Sequence, residues 1–99
     1  GQKITISSGN SGHTLLLNFK QGIISYSAAR NNEIRTGTIK CTSSLQSATQ
    51  VLTDEDYVET SDIGLTLSVD KPNEFLRLVW SSTDTGADLV LTFDTKTIH

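Results

Sequence analysis

The sequence predicts an all-β domain, an antiparallel β-sandwich or jelly roll of about eight strands. Three observations carry that expectation. Apolar and polar residues alternate with period two along nearly the whole chain, and no segment has a convincing helical period. Clusters of Gly, Asn, Ser and Asp interrupt the alternation at regular spacing, as turns between short strands do. Thr and Ser are abundant, and the branched Cβ of Thr suits a pleated surface. With 99 residues, a single domain over 1–99 is expected. A chain of this size buries roughly two-thirds of the surface exposed when unfolded, enough for one core without staples.

The elements follow in order. "QKITIS" alternates with Ile4 and Ile6 on one face, and "SSGNSG" follows as a turn cluster. "HTLLLNF" places Leu15, Leu17 and Phe19 together and Leu16 opposite, and "KQG" punctuates. "IISYSAAR" groups Ile24, Tyr26 and Ala28. "RNNE" at 30–33 is the clearest turn, because Asn tolerates the positive φ that a tight hairpin requires. The returning strand "EIRTGTIKCTS" has Arg35, Gly37, Ile39 and Cys41 on one face and a solvent-facing row of Thr36, Thr38, Lys40 and Thr42. "SSLQSATQ" reads as a short strand or an irregular loop, and 54–62 as an acidic loop with Tyr57 and Val58 packed inward. "LTLSV" is a strand with Leu65, Leu67 and Val69 inward. Pro72, which lacks an N–H, ends it. "FLRLVWSST" is apolar on both faces, as a central or doubly covered strand would be. After the turn "DTGAD", "LVLTFDT" closes the set with Leu89, Leu91 and Phe93 inward.

Composition excludes several kinds of chemistry. One cysteine, Cys41, permits neither an intramolecular disulfide nor a zinc site of several thiolates, and its place in the alternation marks it as a buried small hydrophobe. The net charge is −3 with no basic stripe, which argues against nucleic-acid binding. No apolar run approaches the about 20 residues of a membrane helix, and no signal peptide is visible. The opening "GQKITIS" reads as the boundary of a domain cut from a longer chain, with Gly1 a tag remnant.

Catalysis finds little to build on. The histidines are His13, beside a turn, and His99, at the chain end where side chains fray, so a Ser–His pair is disfavoured. Asp54, Asp56, Glu59 and Asp62 offer the hard oxygens that calcium prefers, but neither the spacing nor the glycine of an EF-hand is present, so no metal is expected. A glycosidase needs carboxylates about 5–9.5 Å apart across a cleft, and a domain this small offers little wall for one. No phosphate-binding glycine loop is present, and no cofactor is expected. Sugar binding is the strongest ligand reading. It wants an exposed aromatic ring with acids around it, which singles out Tyr57 with Asp54, Asp56 and Glu59, while Trp80 lies on an inward alternation and reads as core. Arg30 and Arg35 flank the hairpin turn and come close to facing each other, so they call for a carboxylate from Glu33 or from the 54–62 acids. Arg77, in an apolar strand, calls for a salt bridge or an anionic partner across an interface.

Three segments carry a resemblance. "ISYSAARNNEIRTGTI" (24–39) resembles the Ser-Tyr-Ser…Arg…Arg-Thr-Gly-Thr hairpin of a small β-domain in structural proteins of tailed bacteriophages. "DYVETSDIGLTLSV" (56–69) is similar to its Asp-Tyr…Thr…Asp-x-Gly-(Val/Leu)-Thr strand start, and "LRLVWSSTDTGADLVLTF" (76–93) to its final hairpin. Together they cover about half of the chain, in order. Trp80, where Tyr or Thr would be expected, and the long connection "CTSSLQSATQ" depart from the pattern. The resemblance implies a non-enzymatic virion module at the C-terminal end of a tail-fibre, head-fibre or other particle protein. It implies a homotrimer exposed on the virion, with a host-surface glycan or protein, or another virion protein, as partner. A carbohydrate-binding module attached to an enzyme is the alternative.

Overall fold

The computed structural model describes residues 2–16, 21–43, 51–72, 76–83 and 86–97. Among them the chain forms eight strands: β1 (Gln2–Ile6), β2 (Ser11–Leu16), β3 (Gln21–Arg30), β4 (Glu33–Ser43), β5 (Val51–Glu59), β6 (Leu65–Asp70), β7 (Leu76–Ser82) and β8 (Leu89–Thr97). A five-stranded sheet, in the order β1-β8-β3-β4-β5, faces a three-stranded sheet, in the order β2-β7-β6. Every neighbouring pair is antiparallel. The fold is all-β, consistent with a β-sandwich.

The hairpin β3–β4 is built as its turn residues dictate. Asn31 takes a φ of 56°, and the short turn sets the register Arg30↔Glu33, Ala28↔Arg35 and Tyr26↔Gly37. Arg30 and Arg35 therefore do not oppose one another, because a turn of this length pairs Arg30 with Glu33 and moves Arg35 two rungs inward. Ile24, Tyr26 and Ala28 of β3, Ile39 and Cys41 of β4, and Leu89, Leu91 and Phe93 of β8 point into the core. From the small sheet come Leu16, Leu65, Val69, Leu76 and Leu78. Burying side chains of this size stabilises the fold by about 1.5–3 kcal/mol each before conformational entropy is subtracted. β7 is the central strand of its sheet, which accounts for its apolar residues on both faces. Trp80 is half-buried and packs against the core.

Some expectations need correction. In β2 it is Leu16, opposite Leu76, that faces inward, while Leu15 opposes Arg77 on the outer face and is largely exposed. In a run of consecutive leucines period two cannot choose the buried set; the register with β7 does. The acids at 54–59 lie in strand β5 and not in a loop. β5 is an edge strand with an uncovered face, and an edge tolerates the charges that a central strand would reject. Because successive side chains alternate, Tyr57 and Val58 point to opposite faces, and both are exposed. The segment 44–50, together with Leu17, Phe19 and Phe75, lies outside the described residues.

Candidate functional site

The polar residues inside the sandwich gather around two arginines of the β3–β4 hairpin. Arg35 is 6% exposed. Its Nε donates to Tyr26 Oη at 2.9 Å, its Nη1 to the carbonyl of Leu65 at 2.7 Å, and its Nη2 to Glu55 Oε1 at 2.9 Å. Tyr26 Oη in turn donates to Glu55 Oε2 at 3.0 Å, which closes a ring of three side chains. The Tyr57 ring lies over the guanidinium, with its centroid 3.7 Å from Arg35 Cζ. This stacking suits the planar, weakly hydrated arginine cation.

Gly37 makes this packing possible. It sits between Tyr26 and Tyr57 in the ladder Tyr26↔Gly37↔Tyr57. A Cβ there would stand 2.5 Å from Tyr57 Cβ and 2.6 Å from the Asp56 carbonyl oxygen. Gly37→Ala is therefore expected to push β5 outward and cost about 1–2 kcal/mol, the lower part of the overpacking range because an edge strand can yield. Urea unfolding of the variant, with hydrogen exchange at β5, checks it; an unchanged midpoint would mean that β5 approaches less closely.

Arg30, 4% exposed, binds the next stretch of chain. Its Nη1 donates to the Ile63 carbonyl at 2.6 Å and its Nη2 to Ser82 Oγ, while Nε has no hydrogen-bond partner among the described residues. A carbonyl and a hydroxyl, not a carboxylate, hold its two terminal nitrogens. Between the two carbonyls gripped by the arginines lies Gly64, with a φ of 71°. Its N–H donates to Asp62 Oδ1 at 2.8 Å and its carbonyl accepts from Thr83 N at 2.9 Å. Asp62 caps the turn and Gly64 supplies the left-handed backbone. Glu33 accepts from Thr60 Oγ1, and hydrogen bonds from Thr60 and Ser61 hold its carboxyl below the ordinary range.

Strand alternation divides the acids and tyrosine singled out in the sequence. Asp54 and Asp56 stand on the outer face of the large sheet, beside Lys40 and Thr38, whereas Tyr57 and Glu59 share the inner-facing side with Glu55. They do not converge on one ligand position. Glu55, which forms the ion pair with Arg35, was not singled out. Its signal in the sequence is its phase: it is the one acid of the 54–56 run that alternates in step with Tyr57, and it falls among the 54–62 acids expected to partner the arginines. Arg77 pairs with Asp70, directly opposite on β6, through two bonds of 2.8 and 2.7 Å. Hydrogen bonding from Arg77 lowers the Asp70 pKa. The pair is partly exposed on the outer face, where such bridges contribute about 0–1 kcal/mol.

No family model matches the chain, and no curated protein matches it in sequence. The arrangement itself therefore has to indicate the chemistry. Among the described residues no group of three or more His, Cys, Asp or Glu is placed to hold a metal ion. Burial pushes the Cys41 thiol up to about 11, so it is a protonated core residue and not a nucleophile at neutral pH. Burial, reinforced by the bond to Glu55, pushes Tyr26 up to about 12, and the hydroxyl stays protonated as it donates to the carboxylate.

These two groups make the fold alkali-sensitive. In the unfolded chain Cys ionises near 9.0 and Tyr near 10.0, below their folded values of about 11 and about 12. Across that window the unfolded state binds fewer protons than the folded one, so stability falls as pH rises. Urea midpoints measured from neutral pH upward are expected to hold level to about pH 9 and then decline. Cys41→Ala should remove the earlier part of the decline and Tyr26→Phe the later part. A flat profile to pH 11 would show that neither group is shielded as described.

Proposed function

We propose that this chain is a non-enzymatic structural β-domain of a tailed-phage virion protein, a fibre tip or capsid decoration, which self-associates as a homotrimer and is exposed on the particle for host attachment or assembly. What supports the reading is the use made of the hairpin residues. Of Tyr26, Arg35 and Gly37, the core of the Ser-Tyr-Ser…Arg-Thr-Gly-Thr resemblance, Arg35 ties one sheet to the other through the Leu65 carbonyl, Tyr26 holds Arg35 and Glu55 in place, and Gly37 lets β5 pack close. The use of such residues for architecture suits a particle component, whose task is to persist and to present a surface. Many copies on one particle turn weak individual contacts into firm attachment.

Sedimentation velocity tests the reading. A stable trimer is the expected result, and a strict monomer at assay concentrations would move the balance to the alternative, a carbohydrate-binding module. One observation favours that alternative: Tyr57 is 44% exposed, and its ring is held rigid by the cation beneath it. A glycan array with the wild type and Tyr57→Ala separates the two ligand roles. Loss of a glycan signal in the variant would place a sugar on this ring, and no signal from either protein would leave attachment to protein partners.

A further inference from the structure

The large sheet has two open edges, and they carry opposite charge. Among the described residues no strand pairs with the far side of β1 or of β5. Five strands joined antiparallel throughout make β1 and β5 run in the same direction. The backbone polarity of both edges follows from one bond. Thr60 N donates to the Ile34 carbonyl, so these two residues face each other. By alternation Val58, Asp56 and Asp54 also face β4, and Glu55, Tyr57 and Glu59 present their N–H and C=O groups to the open side. Carried through β3 and β8, the same alternation turns Ile4 and Ile6 toward β8 and leaves Lys3 and Thr5 facing the other open side. The side chains of Lys3 and Thr5 point away from the core that holds Ile6, and those of Asp54, Asp56 and Val58 stand on the same outer face. All five are exposed. Asp54 has Lys40 across the strand, whereas Asp56 has only Thr38.

We propose that β1 of one copy of this chain pairs in parallel with β5 of the next, so that the large sheets join head to tail around an axis along the strands. The inference rests on the trimeric reading above and names the surface that makes the trimer. In a parallel pair, a residue whose backbone faces the partner stands opposite one that faces away, and it bonds the two residues flanking that one. Lys3 falls opposite Asp56, the acid without a cation across its strand. Its N–H donates to the Glu55 carbonyl of the next copy, and its own carbonyl accepts from Tyr57 N. On the inner face the half-buried Ile4 comes beside the exposed Tyr57, and on the outer face Thr5 comes beside Val58. Within one copy Lys3 lies on the same rung as Val58, so this register is a stagger of two residues, and closing a sheet into a ring requires a stagger. Charge excludes the two-fold alternatives. β5 against β5 sets Asp54 and Asp56 against each other or, one register along, Glu55 against Glu59. β1 against β1 brings two Lys3 side chains together. Each edge meets its complement only in the head-to-tail arrangement, which generates rings, as a cyclic trimer requires.

The test combines charge reversal, sedimentation and hydrogen exchange on the whole chain. Lys3→Glu and Asp56→Lys each place like charges across the joint, and each is expected to weaken trimer formation about tenfold or more. The double variant Lys3→Glu/Asp56→Lys restores an opposite pair and should recover most of the association. The urea midpoint of each variant, measured where the wild type is monomeric, should stay nearly unchanged, because both side chains are exposed on edge strands. In the wild-type trimer the amides of Lys3, Thr5, Tyr57 and Glu59 should exchange slowly, and they should become fast on dilution and in either single variant. A trimer that neither single variant weakens, or whose edge amides exchange fast, would overturn the proposal and leave the trimeric reading standing on another surface. A double variant no better than the singles, or a wild-type dimer, would also overturn it. A wild type that stays monomeric at every concentration would remove the trimeric reading and this joint with it.

Discussion

Arg35→Ala is expected to destabilise the domain by about 3 kcal/mol, a large share of the 5–15 kcal/mol of a typical domain. The truncation leaves Glu55 as a half-buried carboxylate without its cation, and Tyr26 Oη without its donor. It also opens a space under the Tyr57 ring and frees the Leu65 carbonyl that joins the two sheets. Removing one partner of a desolvated pair costs more than the pair contributes, because the remaining charge loses its compensation. The double variant Arg35→Ala/Glu55→Gln should therefore recover part of the loss. Urea unfolding of the two singles and the double measures the coupling. A loss below about 1 kcal/mol in the single variant would mean that the guanidinium is solvated and the cross-sheet bond contributes little.

Gly64→Ala is expected to cost about 2–3 kcal/mol by two routes that act together. A φ of 71° is costly for any residue with a Cβ. The added methyl would also overlap Thr83 Oγ1 and come to 3.1 Å from Arg30 Nη1. Relaxing either contact disturbs the bond from Thr83 N to Gly64, or the grip of Arg30 on Ile63. Gly86, whose φ is 77° but whose Cβ would meet nothing within 4 Å, is the internal comparison. Gly86→Ala should cost only the backbone part. Equal losses at the two positions would show that strain alone sets the cost and that the Arg30 packing adds nothing.

The legible part of the fold was the part with strict alternation and a strong turn. Asn31 fixed the β3–β4 register, and the inward sets of β3, β4, β6 and β8 followed from period two. The two consecutive leucines of β2 were not legible, because only pairing with β7 distinguishes Leu16 from Leu15. β5 misread as a loop for a physical reason. Its acids are tolerated because it is an edge strand, and edge position is a property of the assembled sheet. The Asp62–Gly64 turn was visible in its residue types, and the structure places the capping bond from Gly64 N to Asp62 there. The arginines were visible as groups that needed partners. That one would take a carboxylate while the other takes a carbonyl and a hydroxyl depends on which strand lies opposite each, and that lies in the topology.

The placement of β8 between β1 and β3 sets the order in which the chain can mature. On the ribosome, β3 and β4 can close their hairpin early, but β3 then presents a bare rim and β1 has nothing to pair with. Both wait for residues 89–97 to emerge. Until then the growing sheet carries an adhesive flank, and the insertion of β8 both completes the sheet and ends that hazard.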